Sequence, residues 1–334
     1  MSKRDLVFNA FNNKEVERIP VGFWFHFADE DEFSQGLENP EIVEKNIAGH
    51  QKYFDEFEPD FLKLMSDGFF GYPGQEIIEA GSAEDLRRVR AVGEDHPWIT
   101  GQVELVRELT RRFGSEVAAF YNIFSPVTFF QIIRGEDAEK SVADFYHEDP
   151  EALAFVLNEI GKDIKVLARK VIEEAGADGI YFSVKNIQDE TISREEYLQY
   201  VGPSDLAVLE EANRVSQNNI LHICGYEGAR NDLTTYADYE AKAVNWAVNV
   251  EGVGISEGRE LFPGKAVIGG FANSPGSLIH KGSRAQIESF TEELINEAGR
   301  TGFIIGADCT IPGDTDLEHL KWIRDKAEEV SKQA

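Results

Sequence analysis

Cysteine is nearly absent from this sequence: 334 residues hold two thiols, Cys224 and Cys309. Two cysteines make no disulfide framework, and in a reducing compartment such a pair serves as core filler, metal ligand or reactive group. Positive charge is scarce as well. Against 61 acidic residues stand 33 basic ones, a formal net charge of −28. Nucleic acid and anionic membrane carry the same sign, which argues against both as partners. No apolar run approaches the roughly 20 residues that span a bilayer. The opening MSKRDLVFNAFNNKEVERIP has no apolar core of the signal-peptide kind, so a cytoplasmic location is expected. The sequence also lacks a Pro-, Gly- or Ser-rich linker, a low-complexity tract and a long repeat, and residues 1–334 are therefore expected to form one domain.

What is present is enough apolar material for a substantial core, 42% of the residues with 11% aromatics. Short apolar runs alternate with longer stretches of helical spacing, the pattern of parallel strands joined by helices. Eight strands are expected: 19–27, 60–65, 117–124, 178–184, 218–223, 243–248, 265–271 and 302–307. Asn39-Pro40 and Asp149-Pro150 each put a capping side chain before a proline at the first helical position. Ser193 with Glu196, Ser283 with Gln286 and Thr315 with Glu318 have capping-box spacing. The pattern predicts an α/β fold, a (β/α)8 TIM barrel in a single domain, with an N-terminal helical extension and further helices after the second strand. An open doubly wound sheet is the alternative, but no G-x-G-x-x-G follows the first strand.

In a barrel, function gathers where strands end. Among those ends are Phe25-His26-Phe27, Met65-Ser66-Asp67-Gly68, Lys185 to Glu190, His222-Ile223-Cys224-Gly225 and Ala307-Asp308-Cys309. Side chains alternate along a strand, so His222 and Cys224 share a face. If that face is inward, both aim into the barrel mouth, and Cys309 can reach the same mouth from the last strand. Two thiolates and an imidazole suit zinc and leave a fourth position open, the pattern of a catalytic site. The plainer reading is a buried pair of cysteines beside a satisfied histidine. A Cys224–Cys309 disulfide is sterically conceivable, though the compartment argues against it.

Several segments resemble the uroporphyrinogen decarboxylase superfamily over most of the chain: Arg18-Ile19-Pro20-Val21, FLKLMSDGF, SPVTF, ETISREEYLQYVGP and GGFAN. LHICG, followed late in the chain by Cys309 in a C-x-x-P setting ending at Pro312, is similar to the zinc-dependent branch that acts on methylated corrinoid proteins, such as the methylcobalamin:coenzyme M methyltransferases. The decarboxylases proper carry arginines after the first strand, in a segment resembling R-Q-A-G-R, to hold substrate carboxylates. This sequence instead has FWFHFADEDEF, with His26 near that position and four acids in the next six residues. A pocket for many carboxylates should not open on Asp29-Glu30-Asp31-Glu32.

The resemblance implies a methyltransferase that moves a methyl group between a corrinoid, free or on a partner protein, and a small thiol. Its implied cofactors are Zn2+ and the corrinoid, and self-association is left open. His222, Cys224 and Cys309 are the expected metal ligands. Asp67, which matches the decarboxylases' essential aspartate within SDGF, and Glu190 are candidates for a supporting or temporary-ligand role. A metal-free lyase acting on a tetrapyrrole and a non-catalytic barrel are the competing readings. His50, His96, His147, His280 and His319 are expected at surface or packing positions, the acids 29–32 in a solvated loop, and Phe129-Phe130 in the core.

Overall fold

Parallel strands buried on both faces need continuous apolar runs, and seven such runs pair in the computed structural model, which describes residues 1–135 and 138–333. They are β1 (Phe61–Leu64), β2 (Ala118–Phe124), β3 (Gly179–Val184), β4 (Ile220–Ile223), β5 (Ala243–Trp246), β6 (Ala266–Phe271) and β7 (Phe303–Ala307). Each pairs in parallel with the next in chain order. All seven match expected strands, with β5 stopping at Trp246.

The eighth expected strand, 19–27, is not a regular strand, yet it occupies the eighth place. Val21 makes a parallel bridge to Ile305 of β7. Ile305 N–H donates to Pro20 O (2.9 Å), Gly22 N–H to Ile305 O (3.0 Å), and Asp60 N–H, just before β1, to Val21 O (3.0 Å). The segment thus links the last strand to the first and closes the barrel. It fails to continue as a ladder because its polar groups go elsewhere. Pro20 has no N–H, the Phe23 N–H and C=O both bond the Tyr53 hydroxyl (3.2 and 2.8 Å), and Trp24 O accepts from Ile311 N–H (3.1 Å).

Helices cover the outside, and their starts follow the capping chemistry. Asn39 and Asp149 accept from Glu41 N–H (3.2 Å) and Ala152 N–H (3.0 Å), and both capping boxes at Ser193 and Ser283 form. Thr315 does not cap the last helix, Leu317–Gln333. Asp316 does so, accepting from Glu318 N–H at 2.9 Å. A carboxylate one residue nearer the helix takes the free N–H, and the buried Thr315 hydroxyl has no partner among the described residues.

The N-terminal helix Lys3–Phe11 packs against β1, β2 and β7, at the barrel wall. Two short helices, Gln75–Glu79 and Ala83–Leu86, intervene between β1 and the helix Pro97–Phe113. Asp163 ties that excursion down, accepting from Tyr72 O–H (2.6 Å) and from the N–H groups of Val92 (2.8 Å) and Gly93 (2.9 Å). No helix among the described residues is long and apolar enough to cross a membrane.

Candidate metal centre

Parallel register sets His222 of β4 beside Ser183 of β3 and Asn245 of β5. Two residues on, Cys224 N–H donates to Val184 O (2.8 Å), and Asn231 Nδ2 donates to Cys224 O (3.0 Å). Gly225 follows because a Cβ there would stand 2.4 Å from the Ala247 Cβ. Beyond β7, Asp308 N–H donates to Phe271 O (2.8 Å) and Ile311 N–H to Trp24 O, fixing the turn that carries Cys309. All three side chains are therefore held by backbone anchored to strands.

They converge. Cys224 Sγ lies 3.9 Å from Cys309 Sγ, which lies 3.5 Å from His222 Nε2, and all three donor atoms fall within 4.8 Å of one another. A tetrahedral ion with Zn–S ~2.3 Å and Zn–N ~2.05 Å requires separations of ~3.8 Å between sulfurs and ~3.5 Å between sulfur and nitrogen. The Sγ–Sγ and Cys309 Sγ–His222 Nε2 separations fit such an ion, and the sulfurs are far beyond a disulfide's ~2.05 Å; both cysteines are free.

The imidazole is also set for ligation. Asn245 Nδ2 donates to Ile268 O (2.8 Å) and Ala307 O (3.1 Å), which can only accept, so Asn245 Oδ1 must face His222 Nδ1 at 2.5 Å. Oδ1 also accepts from Tyr181 O–H (3.1 Å). His222 therefore carries its proton on Nδ1 and turns the Nε2 lone pair to the thiols, the outer support a metal-binding histidine needs. The two sulfurs share a hydrogen bond in which either can donate. It draws Cys224 down to about 6, against burial and aided less by the Tyr226 backbone and Lys63, while the same bond and burial push Cys309 up to about 12. At neutral pH the pair holds one proton and one negative charge.

The site opens into a cavity of about 380 Å3, a size suited to a small ligand. Its wall includes His26, Lys63, Asn122, Lys185 and Tyr226, with Glu30 the one carboxylate among the described residues lining it. Sequence reasoning passed over Asn245 and Lys63. The signal for both was a polar residue in the middle of an apolar strand, AVNWAV and FLKLM, where burial demands a partner.

A model of the family described as uroporphyrinogen decarboxylase (URO-D) matches residues 75–330, well over half of the chain. The chain belongs to the uroporphyrinogen decarboxylase family. Among solved structures, a methyltransferase from Methanosarcina mazei superposes with a TM-score of 0.73 at 15% identity, covering 98% of this chain and 99% of that one. A B12-independent methionine synthase from Shewanella sp. W3-18-1 gives a TM-score of 0.56 at 12% identity, covering 95% and 98%. At such identities these likenesses show the barrel fold alone. No curated protein matches the chain.

Within this family member, Asp67 is fully buried. Its Oδ1 lies 2.9 Å from His26 Nδ1, and its Oδ2 accepts from Phe27 N–H (2.6 Å) and Ala28 N–H (3.3 Å). Asp67 thus reaches the cavity through His26, which lines it. Glu190 sits exposed in the loop after β3, apart from the residues that line the cavity. Among the described residues no arginine lines it. The other histidines take packing or surface roles: His50 is buried between Asn46 O and Met65 N–H, and His96 caps the helix Pro97–Phe113. His147 and His280 pair with Asp189 and Asp314, and His319 bonds Ile279 O. Of the acidic run, Asp29 and Glu32 pair with Lys45 (2.7 and 2.6 Å), and Phe129-Phe130 are core.

Proposed function

We propose that this chain, as one barrel domain over residues 1–334, is a cytoplasmic zinc-dependent methyltransferase that moves a methyl group between a corrinoid and a small thiol. The observation that carries this reading is the triad His222, Cys224 and Cys309, three donors within 4.8 Å of one another on the wall of a ligand-sized cavity. When bound there, zinc supplies the Lewis acidity that keeps an acceptor thiol deprotonated at neutral pH, while the corrinoid supplies the methyl group.

The chain's own residues supply alignment and electrostatics. Asn245 and Tyr181 hold His222 in the ligating tautomer. Rigid strand ends fix the two sulfurs, whose negative charges offset that of the ion and leave the bound acceptor electron-rich. Asp67 acts at one remove, orienting His26 on the cavity wall. Glu190, exposed in its loop, could join the site only if that loop moved inward. A corrinoid is far larger than the cavity, so the methyl donor approaches at the mouth, free or carried by a partner protein.

A metal-free decarboxylation of a tetrapyrrole is the competing reading for this family. The absence of arginine among the described residues lining the cavity weighs against it, because each unmade charged hydrogen bond to a substrate carboxylate would cost about 1.5–3 kcal/mol. The experiment is to incubate zinc-loaded and chelator-stripped protein with methylcobalamin and 2-mercaptoethanol, following cobalamin absorbance, alongside a separate incubation with uroporphyrinogen. Zinc-dependent demethylation without porphyrinogen turnover is expected. Equal transfer by the stripped protein, or efficient decarboxylation, would overturn the reading.

A further inference from the structure

Lys63 stands in the middle of β1 with Phe61, Leu62, Leu64 and Met65 around it, and only 5% of its surface is exposed. Its ammonium lies 4.4 Å from the centre of the Tyr181 ring and 5.2 Å from that of Trp24. Tyr181 in turn packs on His222, with ring centres 5.6 Å apart, and donates to the Asn245 oxygen that holds the imidazole. The lysine therefore sits at the inner end of the cavity, against the aromatic wall that supports the metal site. No carboxylate among the described residues forms an ion pair with it, and its ammonium rests on the two aromatic rings. Burial pushes its pKa down, and the neighbouring Cys309 and Cys224, then Asp67, oppose that by favouring the charged form.

A buried ammonium without a carboxylate is costly, and leucine or methionine would fill the same space at less cost. The charge must therefore answer an anion that the cavity receives. Charge counting identifies it. Two thiolates and a neutral imidazole cancel a divalent ion, so the loaded site is neutral until an acceptor arrives as a thiolate and adds one negative charge. Aromatic faces stabilise a cation without neutralising it, leaving Lys63 able to balance that arrival.

We propose that Lys63 is a substrate-binding residue, the counter-ion that lets the site capture its acceptor as a thiolate rather than as a thiol. This rests on the metal-centre reading above. In the step concerned, the acceptor S–H bond breaks, its proton leaves to the buffer, its electron pair stays on sulfur, and nothing is oxidised or reduced. Because metal loading already yields a neutral site, Lys63 contributes little to holding the metal and much to holding the acceptor. Lys185, half-buried on the same cavity, acts on Cys224 less strongly than Lys63 does, and Glu30, itself an anion, would repel a thiolate.

The test compares wild type with Lys63→Met, which fills the space without charge, and Lys63→Arg, which keeps the charge. Metal binding is measured by chelator competition with Zn2+. Acceptor binding to the zinc-loaded protein is measured by calorimetry with 2-mercaptoethanol, which has no anionic tail, and with 3-mercaptopropionate, which has one. Cobalt-substituted protein provides a second readout through its thiolate-to-metal absorption. Lys63→Met should bind metal within about threefold of wild type and both thiols roughly 10- to 100-fold more weakly, the size expected of one lost charge interaction in a partly screened site. Lys63→Arg should recover at least part of that loss.

Equal thiol affinity in Lys63→Met would overturn the proposal while leaving the metal centre intact. So would a loss confined to 3-mercaptopropionate, which would mean that the lysine reads a tail, and so would loss of metal, which would make it structural. Failure of the wild type itself to bind metal would instead overturn the functional reading.

Discussion

Two histidines line the same cavity, and each has its Nδ1 held by a buried side chain, but the holders differ in charge. His26 is held by the carboxylate of Asp67 at 2.9 Å, and His222 by the amide of Asn245 at 2.5 Å. A carboxylate brings a negative charge to the ring it holds. An amide oxygen, fixed in place because the amide Nδ2 donates to Ile268 O and Ala307 O, adds no charge and sets the tautomer that points a lone pair at the sulfurs. The surroundings agree with this division. Two sulfurs lie beside His222, whereas His26 packs against Phe33 and Phe70, with ring centres 4.3 and 5.7 Å away. One barrel mouth thus presents a side whose donors could hold a metal ion and a hydrogen-bonding side.

The comparison breaks most sharply at the metal side. Cys224→Ala or His222→Ala should lose bound zinc and reduce methyl transfer on the order of 1000-fold or more, because among the described residues no other group brings three ligand atoms together. Circular dichroism should show the barrel still folded.

A smaller effect sharpens the contrast between the two holders. Asn245→Ala should weaken zinc binding by about 10- to 100-fold, the usual cost of removing a ligand's outer support. Asp67→Asn should leave zinc binding within about threefold, because its contacts run to His26 and the backbone of Phe27 and Ala28 rather than to the sulfurs. Chelator competition on the two variants checks both. Equal losses would erase the distinction between the two sides.

The smallest expected signal is in protons. With Cys224 at about 6 and Cys309 at about 12, the pair carries one proton at pH 7. Zinc binding should therefore release about one proton from the thiols at pH 7 and about two below pH 6. Counting the thiols alone, log affinity should rise by about one unit per pH unit above pH 6 and by about two below it. Protonation competes with the metal, so affinity falls as pH falls. Calorimetry in buffers of different ionisation enthalpy counts these protons, and no release at pH 7 would mean that both sulfurs are already thiolates.

Much of this was legible in the sequence because local chemistry and tertiary structure agree. Seven apolar runs became the seven ladder strands, and the H-x-C spacing of His222 and Cys224 placed both side chains on one face. The segment 19–27 has the apolar pattern of a strand, but a tyrosine 30 residues later takes both backbone groups of Phe23, and periodicity carries no trace of that. Asp67 was identifiable as a residue of interest, though not as the partner of His26, since a pairing across 41 residues depends on barrel closure. Asn245 and Lys63 were visible as polar interruptions in apolar strands. What each faces follows from register and inward orientation, which only the assembled sheet supplies. Glu190 was singled out by its place after a strand, and the loop carries it to the surface.

The most direct measurement is the zinc content of the purified and reconstituted protein by elemental analysis, beside that of Cys309→Ser. The account predicts about one zinc per chain in the wild type and a large loss in the variant, because a serine hydroxyl does not replace a thiolate on this ion. Sub-stoichiometric zinc after reconstitution, or the same content in Cys309→Ser, would contradict it.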